Sequence, residues 1–370
     1  MMWTVKDLRQ IIKKMYLWFI HFLNILFSKK KVENDNVVVM MTFVEDVLPL
    51  IEALYKKGYR ITVIGKEEKR KYIKHLEDVT YITAGNKYVF KHIQALSQAK
   101  VIIVDTYYLM LGAFHKKAGQ TVLQTWHASG ALKNFGLTDH QVDLSNSKKV
   151  AQYKRVYDAT DKYLIGGPAM SICFKESFGA KEHQFLTLGL PRLVKYKNID
   201  IKQRQQELKS HYNIRGKVAL YVPTYRENHQ SNRVINKEHF EQELPNYTLL
   251  SKLHPAITDV NDSSLDIQSL LIMADVVISD YSSLAIEASY LNKPTLLYVY
   301  DEAQYEAERG LNRFYYQTPS HYKVYNEHDM IQKLKYKENT LQPIFKEWHQ
   351  FNNDNSLTQI IKYIEGMVKS

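Results

Sequence analysis

The chain has 370 residues, more than one ordinary hydrophobic core supports, so two domains are expected. Hydrophobic residues make up 45% and charged ones 24%, which excludes a disordered chain, while a single cysteine, Cys173, excludes an internal disulfide and a cysteine-based metal cluster. The formal charge of +11 favours anionic partners without choosing among nucleic acid, anionic lipid and phosphorylated substrates.

The first distinctive segment is Met15 to Phe27, "MYLWFIHFLNILF". It is apolar but shorter than the roughly 20 residues a membrane-spanning helix needs. Wound as a helix, Lys6, Gln10, Lys13, Lys14, His21, Asn24 and Ser28 fall along a narrow stripe broken by Leu17, and Lys29, Lys30 and Lys31 close the run. Residues 1–31 are therefore read as an amphipathic membrane-association segment lying on an anionic bilayer surface. A secretory signal lacks its small-residue cleavage site here, and a helix docked on the core is the competing reading.

From Asn36 onward short apolar runs alternate with helical patterns. Residues 37–43, 61–65, 79–84, 100–108 and 121–126 read as strands, with helices over 44–56 and 89–98, and "KYLIGG" and "FLTLGLPR" add two more strands. Each run is nearly continuous rather than alternating, the pattern of parallel strands covered on both faces. After Pro191 a charged helical stretch precedes a second series, "KVALYVPTYR", "YTLLSKLHP", "DVVISDYSS" and "PTLLYVY". The fold class expected is α/β, with two Rossmann-like domains facing a cleft: 32–195 carrying the base and 196–340 binding the donor. Residues 341–370 are read as a C-terminal helix, with Trp348 and Phe351 packing it back on the body. Neither G-x-G-x-x-G nor a P-loop occurs, which argues against dinucleotide dehydrogenases and P-loop NTPases. No helix-turn-helix, zinc finger or RNP motif points to nucleic acid.

Ligands of such folds bind at the carboxyl ends of the strands. His127 follows "TVLQTW" there, beside the small residues Ala128, Ser129 and Gly130, with Lys133 within reach of an anion. A lone histidine is more often structural, but an imidazole in that setting suits proton removal near neutral pH. In the second half "YVPTYR" offers Thr224 and Arg226, and "KLHP" offers Lys252 and His254. "SDYSSLAIEA" places Ser282 and Ser283 where a helix begins, as simple caps or as an anion site, with Glu287 a turn further in, able to accept from a ribose or glycerol hydroxyl. Arg309, before Gly310, is a candidate phosphate contact. Four polar strand ends converging suggest a diphosphate-bearing ligand. A non-catalytic membrane-attached protein would explain the charge and the N-terminus but not this constellation.

In order, "TWHASGALKNFG", "YVPTYR", "KLHP", "ISDYSSLAIEA" and "YDEAQYEAERG" resemble the CDP-glycerol glycerophosphotransferase family of wall teichoic acid synthesis, over essentially residue 36 to the C-terminus. The resemblance implies a GT-B arrangement with His127 as catalytic base. It assigns Arg226, His254, Ser282, Ser283 and Arg309 to the donor diphosphate and its surroundings, and carries over Gly167 and Pro168 of "IGGPAM" as donor contacts. Arg313 stands where polymerase members tend to have an acidic residue, which leans towards members that add a single glycerol phosphate. The implied reaction transfers it from CDP-glycerol to the N-acetylmannosamine of an undecaprenyl-diphosphate-linked N-acetylmannosaminyl-N-acetylglucosamine, releasing CMP. A poly(glycerol phosphate) polymerase, or a glycosyltransferase or sugar-nucleotide epimerase on the same scaffold, is the alternative. No cofactor is expected, and no acidic or histidine cluster demands a metal. The expected location is peripheral, on the cytoplasmic face of the cell membrane; homo-oligomers and association with other teichoic acid enzymes are left open.

Overall fold

The computed structural model describes residues 5–224, 226, 234–253 and 264–369. Two parallel sheets account for the strands. The first contains β1 (Glu33–Met41), β2 (Arg60–Gly65), β3 (Thr80–Thr83), β4 (Ala99–Val104), β5 (Thr121–Gln124), β6 (Lys162–Leu164) and β7 (Phe185–Leu186), in the order 3-2-1-4-5-6-7. The second contains β8 (Lys217–Val222), β9 (Tyr247–Ser251), β10 (Val276–Ser279), β11 (Thr295–Tyr298) and β12 (Lys323–Val324), in the order 12-11-10-8-9. Every strand pairing is parallel, as the continuous apolar runs require. The short β12 has too little apolar run to be legible in sequence.

Alternation along β1 and β4 feeds two separate layers. Val37, Val39, Val101 and Ile103 join the helix Val44–Lys56 and the C-terminal helix on one face. Val38, Met40, Ile102 and Val104 meet the helix Val89–Gln98 and the N-terminal helix on the other. The C-terminal helix is shorter than expected, Ser356–Lys369. The chain from Leu341 to Asn355 holds only one 3-10 turn, Lys346–Trp348, because Pro343 and the polar "NNDN" cannot sustain an α-helix. Ile360, Ile361 and Ile364 place that last helix in the core of the first sheet, so the chain ends by crossing back from its second half.

The N-terminal helix, Val5–Leu26, docks one face on the first domain and leaves the other exposed. Ile20, Leu23 and Phe27 are buried against the first domain, and Asn24 donates to the Ala113 carbonyl at 2.6 Å. The Lys117 ammonium then closes the helix end by donating to the carbonyls of Phe27 (2.8 Å) and Lys30 (2.5 Å). On the outer side Leu8, Ile12, Met15, Trp18, Phe22 and Ile25 recur every three or four residues and stay exposed, Trp18 by 69% and Ile25 by 62%. Among the described residues no helix is long and apolar enough to cross a membrane.

The halves meet through a shared apolar cluster that includes Leu132, Tyr163 and Phe174 from the first and Tyr281, Ile286, Leu311 and Phe314 from the second. Trp348 is its wedge: a Cβ added at Gly130 would lie 2.5 Å from the indole and 2.6 Å from Ile286 Cδ1. Only glycine allows the loop after His127 to approach so closely.

Candidate functional site

His127 is placed by an unusual turn. β5 ends at Gln124, and Trp126 takes a left-handed conformation, φ 63°. Gln124 stabilises that turn by accepting from the Trp126 N–H at 3.0 Å and donating to the Thr106 carbonyl at 3.1 Å. The imidazole then lies between Phe43 (ring centroids 4.3 Å apart, 12° between planes) and Trp126 (4.2 Å). Its Nδ1 is 3.0 Å from the Asp105 carbonyl oxygen. A carbonyl only accepts, so Nδ1 carries the proton and Nε2 keeps its lone pair in the neutral ring. The Asp105 carboxylate meanwhile accepts the N–H groups of Thr42 and Phe43, both at 2.6 Å, and the Tyr108 hydroxyl at 2.7 Å. One residue thus orients the ring by its carbonyl and fixes the stacking Phe43 by its side chain. Burial, reinforced by the positive charges of Arg192 and Lys133, pulls the imidazole down to about 4 against the Asp105 contact. The sequence reading missed Asp105, although a charge ending "KVIIVD" marks the strand terminus.

In the second half the organising residue is another one that sequence reading missed. Asp280, fully buried at the end of β10, accepts from the Thr224 N–H (2.8 Å) and hydroxyl (2.7 Å), from the N–H groups of Tyr281 and Ser282, and from Arg226 (2.9 Å). Arg226 is held among described partners. Its guanidinium is buried, forks onto Asp301 (2.7 and 3.1 Å) and lies over the Tyr305 ring at 4.4 Å, so its charge reaches the cleft already shared with two carboxylates. Thr224 donates its hydroxyl to Asp280 as well. Ser282 is the N-cap of the helix Ser283–Tyr290, its Oγ accepting from the Leu284 N–H at 3.3 Å. Ser283 opens the first turn, partly exposed. Lys252 is partly buried after β9, its backbone N–H on the Tyr221 carbonyl at 2.9 Å. His254 lies outside the described residues.

Glu287 corrects an expectation. It faces neither ribose nor glycerol but is buried beneath the connection between the halves, where Arg192 (3.1 Å), Lys195 (2.7 Å) and the Tyr196 hydroxyl (2.9 Å) claim it. Burial alone would raise it; the two cations and the hydroxyl instead hold it down, to about 2. Arg192 also reaches Asp46 at 3.0 Å, so one linker guanidinium joins a carboxylate from each half. Helical position gave the residue's depth but not its neighbours.

Gly167 and Pro168 serve a packing role. A Cβ at Gly167 would fall 2.1 Å from the Glu347 carbonyl oxygen, and Pro168 begins the helix Pro168–Phe178 at a position that needs no N–H donor. The segment is covered by the returning C-terminal chain, which departs from the expected donor contact.

Arg309 ties the two halves together, and its Nε has no hydrogen-bond partner among the described residues. Its guanidinium pairs with Asp139 (2.8 Å) and Gln141 (2.9 Å) of the first half. Beside it the two motifs run as an antiparallel seam. Lys133 bridges Leu311, the Asn134 N–H donates to the Gly310 carbonyl (2.9 Å), and the Asn312 N–H donates to Leu132 (3.0 Å). Gly310 has φ +81°, a left-handed backbone that favours glycine, and a Cβ there would have to displace the Asn134 amide 2.5 Å away. The seam carries Lys133 into the middle of the cleft. Burial and the charges of Arg309 and Arg226 push its ammonium down, opposed by Asp280 and Asp139. Among the described residues no acceptor is within hydrogen-bond distance of it. Arg313, by contrast, pairs with Glu176. Among the described residues no group of three or more His, Cys, Asp or Glu side chains is arranged to hold a metal ion.

The two parallel sheets form a two-part α/β scaffold in which a neutral imidazole lies within electrostatic reach of Lys133 and Arg192. The family model of CDP-glycerol:poly(glycerophosphate) glycerophosphotransferases matches residues 27–366. A teichoic acid glycerol-phosphate primase of Staphylococcus aureus is 49% identical over 362 residues, covering 97% of this chain and 99% of the relative. The wall teichoic acid polymerase TagF superposes with a TM-score of 0.72 at 19% identity, covering 100% and 99% of the two chains. A UDP-GlcNAc 2-epimerase of Methanocaldococcus jannaschii does so at 0.53 and 12%, covering 90% and 99%. The chain belongs to the CDP-glycerol:poly(glycerophosphate) glycerophosphotransferase family. The epimerase shares only the scaffold, so fold alone does not select the chemistry.

Proposed function

We propose that this chain transfers a single glycerol phosphate from CDP-glycerol to O4 of the N-acetylmannosamine in undecaprenyl-diphosphate-linked N-acetylmannosaminyl-N-acetylglucosamine, releasing CMP. The observation that carries the reading is the neutral His127, its Nε2 lone pair fixed by the Asp105 carbonyl contact at 3.0 Å. Nε2 takes the hydroxyl proton as the sugar oxygen bonds to the β-phosphorus. The bond from that phosphorus to the α,β-bridging oxygen breaks, and CMP departs with the electron pair. Lys133 neutralises charge on the transferring phosphoryl oxygens. The N-terminus of the helix Ser283–Tyr290 adds the Ser283 N–H and a positive dipole end. Arg226 and Arg309 support this layer from behind by holding Asp280, Asp301 and Asp139 in place. Near-full-length identity to the S. aureus primase supports one addition over many. Incubation with CDP-glycerol and the lipid-linked disaccharide, followed by mass spectrometry, tests it. A gain of one glycerol phosphate is the expected result; a ladder means a polymerase, and no gain means different chemistry.

The reading includes peripheral attachment to the cytoplasmic face of the membrane, where a polyprenyl-linked acceptor is presented. Support comes from the exposed outer stripe of the N-terminal helix, with Trp18 suited to the headgroup boundary. Removing residues 1–31 would uncover the buried partners of Ile20, Leu23 and Phe27, so the cleaner experiment replaces Trp18, Phe22 and Ile25 with glutamine. The triple variant is expected to keep its melting temperature and lose most sedimentation with anionic vesicles. Undiminished sedimentation would remove the helix from membrane binding.

A further inference from the structure

The connection between the halves reaches both sides of the site through one side chain. Arg192 lies in the 3-10 turn Pro191–Tyr196, which follows β7. Its guanidinium is buried, with Asp46 at 3.0 Å and Glu287 at 3.1 Å, so its two carboxylate partners come from different halves. We infer that Arg192 is a positioning residue of the transfer, a yoke that holds the imidazole of His127 in register with the helix Ser283–Tyr290. The inference rests on the function proposed above, which sets the N-terminus of that helix at the phosphoryl oxygens.

Each carboxylate leads to one side of the site. Asp46 stands in the first turn of the helix Val44–Lys56, and its N–H donates to the carbonyl of the N-cap residue Phe43 at 3.2 Å. Phe43 is the ring stacked on His127. The Asp105 carboxylate accepts its N–H, so the backbone of Phe43 is held by Asp105 on one side and by the Asp46 turn on the other. From Arg192 to the imidazole the path is thus one ion pair, one backbone hydrogen bond and one stacked ring. Glu287 stands in the second turn of the helix that Ser282 caps. Only about 6 Å of helix separates it from Ser283, so a displacement at Glu287 is carried to the helix N-terminus.

Stability alone does not call for this arrangement. Taking a guanidinium and two carboxylates out of water is costly, and apolar residues of similar volume in such places are often as stable or more so. What an apolar contact lacks is direction. A planar fork fixes two partners in distance and angle at once, which a register between two halves requires. Lys195 and the Tyr196 hydroxyl seat on Glu287 from the same turn, at 2.7 and 2.9 Å, so the connection grips the second half with three groups. Arg192 then carries that grip to Asp46 and the first half.

The test assays the full chain with CDP-glycerol and the lipid-linked disaccharide, well below the melting temperature of every variant. Asp46→Asn cuts the yoke on one side and Glu287→Gln on the other, each leaving Arg192 one charged partner. Each should lower kcat about 10–100-fold, the scale of a misplacement on the order of 1 Å, with both KM values unmoved. Combining them should cost no more than the worse single variant, since one link is cut twice. A merely structural tie lowers the melting temperature and leaves kcat in place. Unchanged kcat in any variant that folds therefore overturns the yoke, and so do losses that multiply in the double variant. Arg192→Lys, a point charge in place of the fork, should repeat the single-variant loss and decides the question where a carboxylate variant does not fold. Should the wild type transfer nothing, the function falls, and the ring-proton resonances of His127 decide the yoke on their own. Set by the faces of Phe43 and Trp126, they should shift in Glu287→Gln, although the hydrogen bonds of Glu287 go to Arg192 and Tyr196. Unmoved resonances end the proposal.

Discussion

Replacing His127 with alanine is expected to lower turnover by about 10²–10⁴-fold while the protein stays folded, the usual span for losing a general base. The ring is held by a carbonyl contact and by stacking on Phe43, not by core packing alone, so circular dichroism and melting should change little. Full activity in a folded variant would end the assignment. The pH dependence offers an independent check. The ring's proton affinity is depressed to about 4, against roughly 6.5 in an unfolded chain. The native state therefore disfavours the charged ring. Its contribution to stability is complete above about 6.5 and disappears as the pH falls through about 4. CMP release measured as kcat/KM should lose its base with a midpoint near 4; a midpoint near 6.5 contradicts a buried neutral ring.

Lys133→Met carries the second large effect, and its two readouts move in opposite directions. Turnover should fall by about 10²–10³-fold, the scale for removing one donor that meets developing charge. Stability should hold or rise, because the substitution keeps the aliphatic stem and removes a half-buried ammonium, depressed by its surroundings, that no described acceptor satisfies. Denaturant unfolding alongside CMP release separates these outcomes. A variant that loses stability and keeps activity would make Lys133 a structural cation.

The sheets were legible because parallel strands buried on both faces leave long apolar runs, and Val37–Met41 and Val101–Val104 are such runs. The place of His127 just past a strand end was legible because an apolar run stops before it and small residues follow. The donor side was less so. A sequence places Arg226 and Glu287 near strand and helix ends but does not say who claims their charge. Asp280 and Asp301 take the first, and Arg192 and Lys195 take the second. Those partners lie 54 to 95 residues away along the chain, beyond any local pattern. Lys133 gained importance for the converse reason, since the loop that bears it runs against Leu311 and leaves its ammonium unclaimed. Trp126 was the least legible, because nothing in its composition predicts a left-handed tryptophan.

The seam between 131–134 and 310–312 bears on how such a protein can be rebuilt. Its two edges come from opposite halves, yet each sets the other's backbone, down to the absent side chain at Gly310. The halves are therefore not interchangeable modules. A chimera that imports a foreign second half must import the matching edge beside His127 as well, or the loop that carries this histidine will be tethered to a partner that no longer fits it.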